Sequence, residues 1–183
     1  MKNTCIMMYG RMNPVHLGHK NLFDRGKYLM DSIPDSEFRI YMSTTHDKDK
    51  NPIPYYIKRN MLNDYFPTVF PFLQDSQEST LFGTLEKINK EFDNLIFLCG
   101  SDRVENFENI IFKYNHLLYD FNVINIESVG CDREYCRYSS TNMRQAIRDN
   151  NYEDFCSFLP NRGDALNEKY FEYISHFIGV NNY

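Results

Sequence analysis

The sequence lacks tryptophan, lacks long apolar runs and carries no excess of basic residues. Its apolar runs, such as CIMMY at residues 5–9, fall far short of the roughly 20 residues that a membrane-spanning helix needs. The first residues also lack the extended apolar stretch of a secretory signal. The formal charge of −5 excludes a broad basic surface for nucleic-acid phosphates. We therefore expect a cytoplasmic protein that binds neither membranes nor nucleic acid, although a local basic cluster could still bind a small phosphorylated ligand.

The sequence does not indicate a disulfide framework, because it has only five cysteines, an odd number, and they are scattered along the chain. Cys5 and Cys99 lie in apolar runs, which predicts that both are buried as small hydrophobic side chains. Cys131 and Cys136 could in principle bind a metal, but no second cysteine pair accompanies them to complete a zinc site. We therefore name no protein metal ligand.

Short apolar runs alternate with longer amphipathic segments along the chain. The pattern predicts strands at residues 5–9, 39–43, 68–72, 94–100 and 121–126. It predicts helices at residues 19–30, 55–65, 80–92, 103–118, 140–149, 152–159 and 165–178. This alternation indicates an α/β fold: a Rossmann-like open parallel sheet of about five strands, with helices on both faces and a C-terminal helical segment. We expect a single domain over residues 1–183, with a core at 1–149 and a helical extension at 150–183.

In such sheets ligands bind beyond the carboxyl ends of the strands, so the loops there are the candidates for function. The loop GRMNPVHLGH, residues 10–19, leaves the first strand and enters a helix. Gly18 allows close approach of a ligand, and the helix start offers free N–H groups to an anion. His16 and His19 lie three residues apart across this turn, so both rings can contact one group of oxygens. A helix cap or a metal-ligand pair would be the alternatives, but the strand–loop–helix setting favours phosphate binding.

A second motif, YSSTNMR at residues 138–144, lies where a late helix should begin. Ser139, Ser140 and Thr141 are residue types that cap helices, and a helix start attracts anions. Arg144 lies four residues after Ser140, on the same helix face. Capping accounts for one hydroxyl, but it does not require three hydroxyls together with an arginine.

Together these motifs resemble the HxGH and ISSTxxR signatures of the nucleotidyltransferase superfamily. That superfamily includes nicotinamide mononucleotide adenylyltransferases, phosphopantetheine adenylyltransferase, and glycerol-phosphate and choline-phosphate cytidylyltransferases. Tyr138 stands where the second signature has an aliphatic residue. The resemblance implies that His16, His19 and Arg144 are catalytic, with His19 nearest the α-phosphate. It further implies that the nucleotide-binding residues are Gly10, Arg11, Asn13, Gly18, Ser139, Ser140 and Thr141.

Two middle segments resemble the same superfamily. GSDRVENF, from residue 100, is similar to a subgroup that bacteriophages often encode, in which case the protein would act in the host cytoplasm. THDKDKNPIPYYIKR, residues 45–59, is similar to the loop that leads through Asn-Pro into a basic helix. The acceptor-binding candidates are Lys58, Arg59, Gly100, Asp102 and Arg103. Asp102 could instead cap a helix, and Lys48 and Lys50 alternate with acids as in a solvated loop.

The resemblance implies transfer of AMP from ATP to a phosphorylated small molecule with release of pyrophosphate. It implies nicotinamide mononucleotide as the acceptor, giving NAD, and Mg²⁺ held mainly by the triphosphate. The missing tryptophan leaves the acceptor open, because some relatives stack nicotinamide on one. The alternatives are a cytidylyltransferase acting on a sugar or polyol phosphate, and a non-catalytic nucleotide sensor. Relatives are often oligomers, so assembly into a homo-oligomer is also left open.

Overall fold

The computed structural model describes residues 3–75, 80–130 and 137–179. The chain divides into two compact units built from discontinuous segments. The sheet unit comprises Met1–Gly10, Asn21–Ser43 and Phe72–Tyr135. The helical unit comprises Arg11–Lys20, Thr44–Pro71 and Cys136–Tyr183. Cys131 and Cys136, considered above as metal ligands, lie outside the described residues.

A parallel sheet forms the centre of the sheet unit. Its strands are β1 (Thr4–Gly10), β2 (Ser36–Met42), β3 (Asn94–Cys99) and β4 (Val123–Ser128), in the spatial order β2-β1-β3-β4. All three pairings are parallel, and Met7 of β1 lies between Arg39 of β2 and Phe97 of β3. The chain moves outward in opposite directions from β1 and β3, so the strand order reverses between them. The α/β class and the open parallel sheet are thereby confirmed.

The described residues contain four strands of this sheet, where the sequence indicated about five. The strand predicted at residues 68–72 is wrong: Phe70–Phe72 forms a 3₁₀ turn, and only Leu73 makes an isolated bridge to Ile40. Pro67 precedes the predicted strand and Pro71 lies within it. Because proline has no N–H to donate to a ladder, a short apolar stretch that contains one proline and follows another does not form a regular strand.

Helices are found in the described chain wherever the pattern predicted them, with ends displaced by a few residues. They are α1 (Leu17–Ser32), α2 (Tyr55–Tyr65), α3 (Leu81–Asn89), α4 (Val104–Tyr114), α5 (Ser140–Arg148), α6 (Tyr152–Ser157) and α7 (Asp164–Phe177). The largest difference is at α4, predicted to run to residue 118. It ends at Tyr114 because Asn115 turns into an extended conformation and bonds to both N–H and C=O of Phe121. None of the described helices is both long and apolar enough to cross a membrane.

The core of the sheet unit lies on both faces of the sheet. On one face, Cys5 and Met7 of β1 pack in a buried cluster with β3, α3 and α4. On the other face, a Cβ at Gly26 of α1 would lie 2.3 Å from the ring of Phe38 in β2, so glycine permits this close approach. Cys5 and Cys99 are buried as predicted. Burial raises the pKa of the Cys5 thiol to about 12, which makes it unreactive at neutral pH.

In the helical unit, the C-terminal helix α7 packs against α2. The hydroxyl of Tyr65 on α2 donates to Asn167 Oδ1 on α7 at 2.8 Å, and the hydroxyl of Tyr170 on α7 donates to Asp64 at 2.6 Å. The rings of Tyr65 and Tyr170 lie 5.6 Å apart and are fully buried. The residues after 150 therefore form part of the unit that contains residues 11–20.

Candidate functional site

The first loop, residues 11–16, connects β1 to α1 and is bound to a second loop, residues 44–54. Asn13 is buried and makes two bonds to Ile53: its Nδ2 donates to the Ile53 carbonyl at 3.0 Å, and its Oδ1 accepts from the Ile53 N–H at 3.2 Å. Asn13 precedes a cis peptide bond to Pro14, and Met12 has a positive φ of 46°. The two Asn13–Ile53 bonds thus join the first loop to the second.

The two histidines of this motif lie side by side. Their ring centroids are 4.0 Å apart, with His16 buried and His19 half-buried. The backbone N–H of Gly18 donates to His16 Nδ1 at 3.0 Å, and the backbone N–H of His16 donates to His19 Nδ1 at 3.2 Å. Because both Nδ1 atoms accept, each neutral ring carries its proton on Nε2. The pair can therefore present two N–H donors to one group of oxygens.

Gly18 fits this arrangement for a reason that the sequence did not indicate. A Cβ at Gly18 would lie 2.8 Å from Cε1 of His16 and 3.1 Å from Cβ of Tyr138. The glycine thus leaves space for the His16 ring and for the segment before α5. Close approach to a ligand, the original prediction for Gly18, stays a prediction.

Burial keeps both imidazoles neutral. It lowers the pKa of His16 well below its ordinary value, and the neighbouring His19 lowers it further. Burial lowers the pKa of His19 to about 4. At neutral pH both rings are therefore uncharged and can donate hydrogen bonds without carrying a positive charge.

The start of α5 lies against the first loop. Ser139 caps the helix by accepting from the N–H of Asn142 at 3.0 Å. The hydroxyl of Ser140 donates to the Pro14 carbonyl at 2.8 Å. Thr141 is exposed in the first turn. Two motifs about 120 residues apart in sequence are therefore in direct contact within the helical unit.

Arg144 projects from α5 to the same loop, and its Nη1 donates to the Asn13 carbonyl. Its side chain is only 6% exposed, and within the described residues its Nε has no hydrogen-bond partner. Burial lowers the pKa of Arg144, as do the charges of Arg148 and Arg11, whereas Asp47 raises it. An incompletely bonded buried guanidinium is the kind of group that an anionic ligand would complete.

A third contribution comes from Lys58 on α2, which is fully buried. Its Nζ donates to the Arg11 carbonyl and to Asn51 Oδ1, each at 3.0 Å. Burial, and then the charge of Arg11, lower the pKa of Lys58 to about 8. The sequence did not identify Asn51, although it lies in the Asn-Pro pair noted above. Asn51 Oδ1 also accepts from Asn13, which links the second loop to the first.

The other candidates occupy different surroundings. The guanidinium of Arg59 lies 4.8 Å from the centre of the Phe70 ring, and Arg11, Lys48 and Lys50 are exposed. Four candidates belong to the sheet unit, at the carboxyl ends of β1 and β3: Gly10, Gly100, Asp102 and Arg103. Of the predicted residues, the structure brings Asn13, His16, Gly18, His19, Ser140, Arg144 and Lys58 together in the helical unit.

At the end of β1 in the sheet unit, the carbonyl of Gly10 accepts from the N–H of Ser43 at 2.9 Å. After β3, a Cβ at Gly100 would lie 3.0 Å from Asp102 Oδ1, and the Arg103 guanidinium lies 5.5 Å from the centre of the Phe107 ring. Their assignment to the acceptor stays a prediction. Among the described residues no group of three or more His, Cys, Asp or Glu side chains is placed to hold a metal ion.

Comparison with solved structures gives full-length matches at low identity. One is nicotinic acid mononucleotide adenylyltransferase of Plasmodium falciparum complexed with NaAD, with a TM-score of 0.61, 13% identity and 98% of each chain covered. Another is a Vibrio parahaemolyticus protein assigned as a nicotinate-nucleotide adenylyltransferase, with a TM-score of 0.60, 16% identity, and 96% of this chain and 98% of that chain covered. These matches show a shared fold. A search of curated proteins finds no significant match.

A family model gives the classification. The model described as cytidylyltransferase-like matches residues 7–146, which include both the histidine pair and Arg144. The resemblance to the nucleotidyltransferase superfamily, drawn from the two motifs, is thereby confirmed. Since the match covers well over half of the chain, this protein belongs to the cytidylyltransferase-like family.

Proposed function

We propose that the protein transfers AMP from ATP to a pyridine mononucleotide and releases pyrophosphate. The convergence of His16, His19 and Arg144 on one loop, with Arg144 Nε left unpaired in the described chain, is the observation that carries the proposal. Nicotinamide mononucleotide, which would give NAD, is the acceptor expected from the motifs. The names of the structural neighbours add nicotinic acid mononucleotide as a second acceptor to test.

In this reaction a phosphate oxygen of the acceptor attacks the α-phosphorus of ATP. A new P–O bond forms, the bond between the α-phosphorus and the bridging oxygen breaks, and pyrophosphate leaves with that oxygen. The protein supplies no nucleophile, so its contribution is positioning and stabilisation of charge. ATP enters as its magnesium complex, with the ion held mainly by the phosphates and water.

We assign the roles from the resemblance of the two motifs, and the contacts within the helical unit support the assignment. The Nε2–H groups of His16 and His19 would donate to oxygens of the α-phosphate as negative charge develops there. Arg144 and the start of α5 would hold the β- and γ-phosphates that leave. Removing one such donor typically lowers the rate about 100- to 1,000-fold.

The experiment is incubation with ATP or CTP and a panel of phosphorylated acceptors, followed by detection of pyrophosphate and product. We expect pyrophosphate with ATP and a pyridine mononucleotide, and a loss of about 100-fold or more in His19→Ala. His116→Ala is the matched control, because His116 is an exposed histidine that pairs with Asp120 on the surface of the sheet unit. Turnover with CTP alone would replace the proposal with cytidylyl transfer. Binding of ATP without turnover on any acceptor would indicate a nucleotide sensor.

A further inference from the structure

Asn51 joins three parts of the helical unit through one buried amide. It is fully buried on the second loop, and its Oδ1 accepts from Asn13 of the first loop and from Lys58 of α2. Its Nδ2 donates to the carbonyl and to the hydroxyl of Thr45. Because donors surround Oδ1 and acceptors surround Nδ2, the amide has one orientation, with its oxygen directed at the lysine.

Two partners of Lys58 in this network are uncharged. Its ammonium donates to the backbone carbonyl of Arg11 and to the amide oxygen of Asn51, each at 3.0 Å. Hydrogen bonds to neutral oxygens stabilise a buried ammonium without cancelling its charge. A carboxylate at position 51 would instead form an ion pair with it.

The same network continues to Arg144, since the Asn13 carbonyl accepts from its guanidinium. The charge of Arg11 lowers the pKa of both Lys58 and Arg144, so Arg11 lies within electrostatic range of each, and Asp47 offsets part of the repulsion at Arg144. Such a cluster is unfavourable in the protein alone and favourable for a bound polyanion. The first loop and the start of α1 carry Arg11, His16 and His19, and α5 carries Arg144 and Arg148. The second loop carries His46, Asp47, Lys48, Asp49 and Lys50, and α2 itself carries Tyr55, Tyr56, Arg59, Asp64 and Tyr65.

We propose that Asn51 is a positioning residue, whose uncharged amide oxygen holds the ammonium of Lys58 in this cluster and leaves its positive charge for the phosphates of the substrate. The inference rests on the proposed function, because it takes a nucleotide triphosphate as the anion. It assigns to Asn51 a role that acts through Lys58 and not by contact with the substrate.

The first test is Asn51→Asp, with Asn60→Asp as the matched control. Asn60 is exposed on α2, so the control makes the same change in chemistry and charge two residues from Lys58. We expect Asn51→Asp to weaken binding of MgATP and of inorganic tripolyphosphate about 30-fold, measured by calorimetry at pH 7.5, and Asn60→Asp to weaken it less than about threefold. Equal losses in the two variants would overturn the proposal.

The pH dependence separates a positioning role from a merely structural one. In the wild type, binding should weaken as the pH rises through about 8, where Lys58 loses its proton. A carboxylate at position 51 stabilises the charged ammonium of Lys58. In Asn51→Asp the affinity should therefore be lower at every pH, and its decline with rising pH should begin at a higher pH than in the wild type. The same upward shift should appear in the Lys58 side-chain NMR titration, which requires no substrate. If neither the pH at which affinity declines nor the pKa of Lys58 in the NMR titration changes, the link between the two residues is refuted.

A second set of variants covers the case in which Asn51→Asp does not fold. If Asn51 acts through Lys58, adding Asn51→Ser to Lys58→Met should change MgATP affinity less than about threefold, whereas Asn51→Ser alone should lower it about tenfold. If the loss of MgATP affinity in the double variant equals the product of the losses in the two single variants, the proposal is contradicted. A wild type that binds MgATP without forming pyrophosphate would remove the proposed function and leave this test intact. A wild type that binds neither MgATP nor tripolyphosphate would overturn both.

Discussion

Replacing Arg144 by methionine should separate substrate binding from stability at a single side chain. Arg144 is 6% exposed and makes a bond to the Asn13 carbonyl, while its Nε has no partner in the described part of the chain. Methionine has a similar length and no charge, so it can fill the same space without the buried guanidinium. In the protein without ligand, Arg144→Met removes one hydrogen bond and also removes a buried charge that is unfavourable for folding.

The expected magnitudes follow from these two contributions. A hydrogen bond from a charged group contributes about 1.5–3 kcal/mol, and an unsatisfied buried donor is unfavourable by about 1–3 kcal/mol. The two nearly cancel, so the free energy of unfolding should change by less than about 1.5 kcal/mol. Losing a buried cation opposite a triphosphate is unfavourable by about 2–4 kcal/mol, which corresponds to a loss of roughly 30- to 1,000-fold in affinity.

Urea denaturation measures the stability, and calorimetric titration with MgATP measures the affinity. Arg148→Met is the matched control, since Arg148 is an exposed arginine one turn further along α5. The control should change affinity less than about threefold, because an exposed charge is screened by solvent. An Arg144→Met variant that unfolds easily but binds MgATP as the control does would refute the reasoning.

Three further outcomes are expected. The pKa of His19 is lowered from about 6.5 in the unfolded chain to about 4 in the folded protein. The neutral ring therefore contributes stability that is complete above pH 6.5 and is lost as the pH falls toward 4. His19→Gln should make the free energy of unfolding depend less on pH between these two values. Gly18→Ala should displace the His16 ring, since its Cβ would lie 2.8 Å from it, and lower kcat/KM by about tenfold or more in the pyrophosphate assay. Tyr65→Phe should destabilise the fold by about 1–2 kcal/mol in urea, because it removes the donor to buried Asn167, with little change in kcat.

Local patterns were sufficient to predict most elements of the fold. The helix at Tyr55–Tyr65 has the predicted bounds, because Pro54 precedes it and its apolar spacing is regular. The strands β1 and β3 are apolar on both parities, as expected for strands covered on both faces. The strand predicted at residues 68–72 was wrong because the prediction followed the apolar residues and disregarded Pro67 before the stretch and Pro71 within it.

The candidate site was predictable only where the signal is local in sequence. The spacing of His16 and His19 across a helix start is such a signal, and so is the helix cap at Ser139. Lys58 and Arg59 are adjacent, however, and successive helix residues point about 100° apart. Which of the two is buried against the first loop depends on tertiary packing, which the sequence does not specify.

Asn51 was missed for a related reason. Its function in the network depends on a bond to Asn13, 38 residues away in sequence. A buried asparagine and an asparagine at a turn look alike in sequence, since the Asn-Pro pair is also a common turn signal. The direction of the Arg144 side chain, toward the carbonyl of Asn13, likewise required the fold.

The most direct test of nucleotidyl transfer follows a label from ATP into the products. The protein is incubated with nicotinamide or nicotinic acid mononucleotide and with ATP labelled at either the α- or the γ-phosphorus. Label at the α-position should appear in the dinucleotide, and label at the γ-position should appear in pyrophosphate. Release of γ-label as inorganic phosphate, or its transfer to the acceptor, would contradict attack at the α-phosphorus and the account built on it.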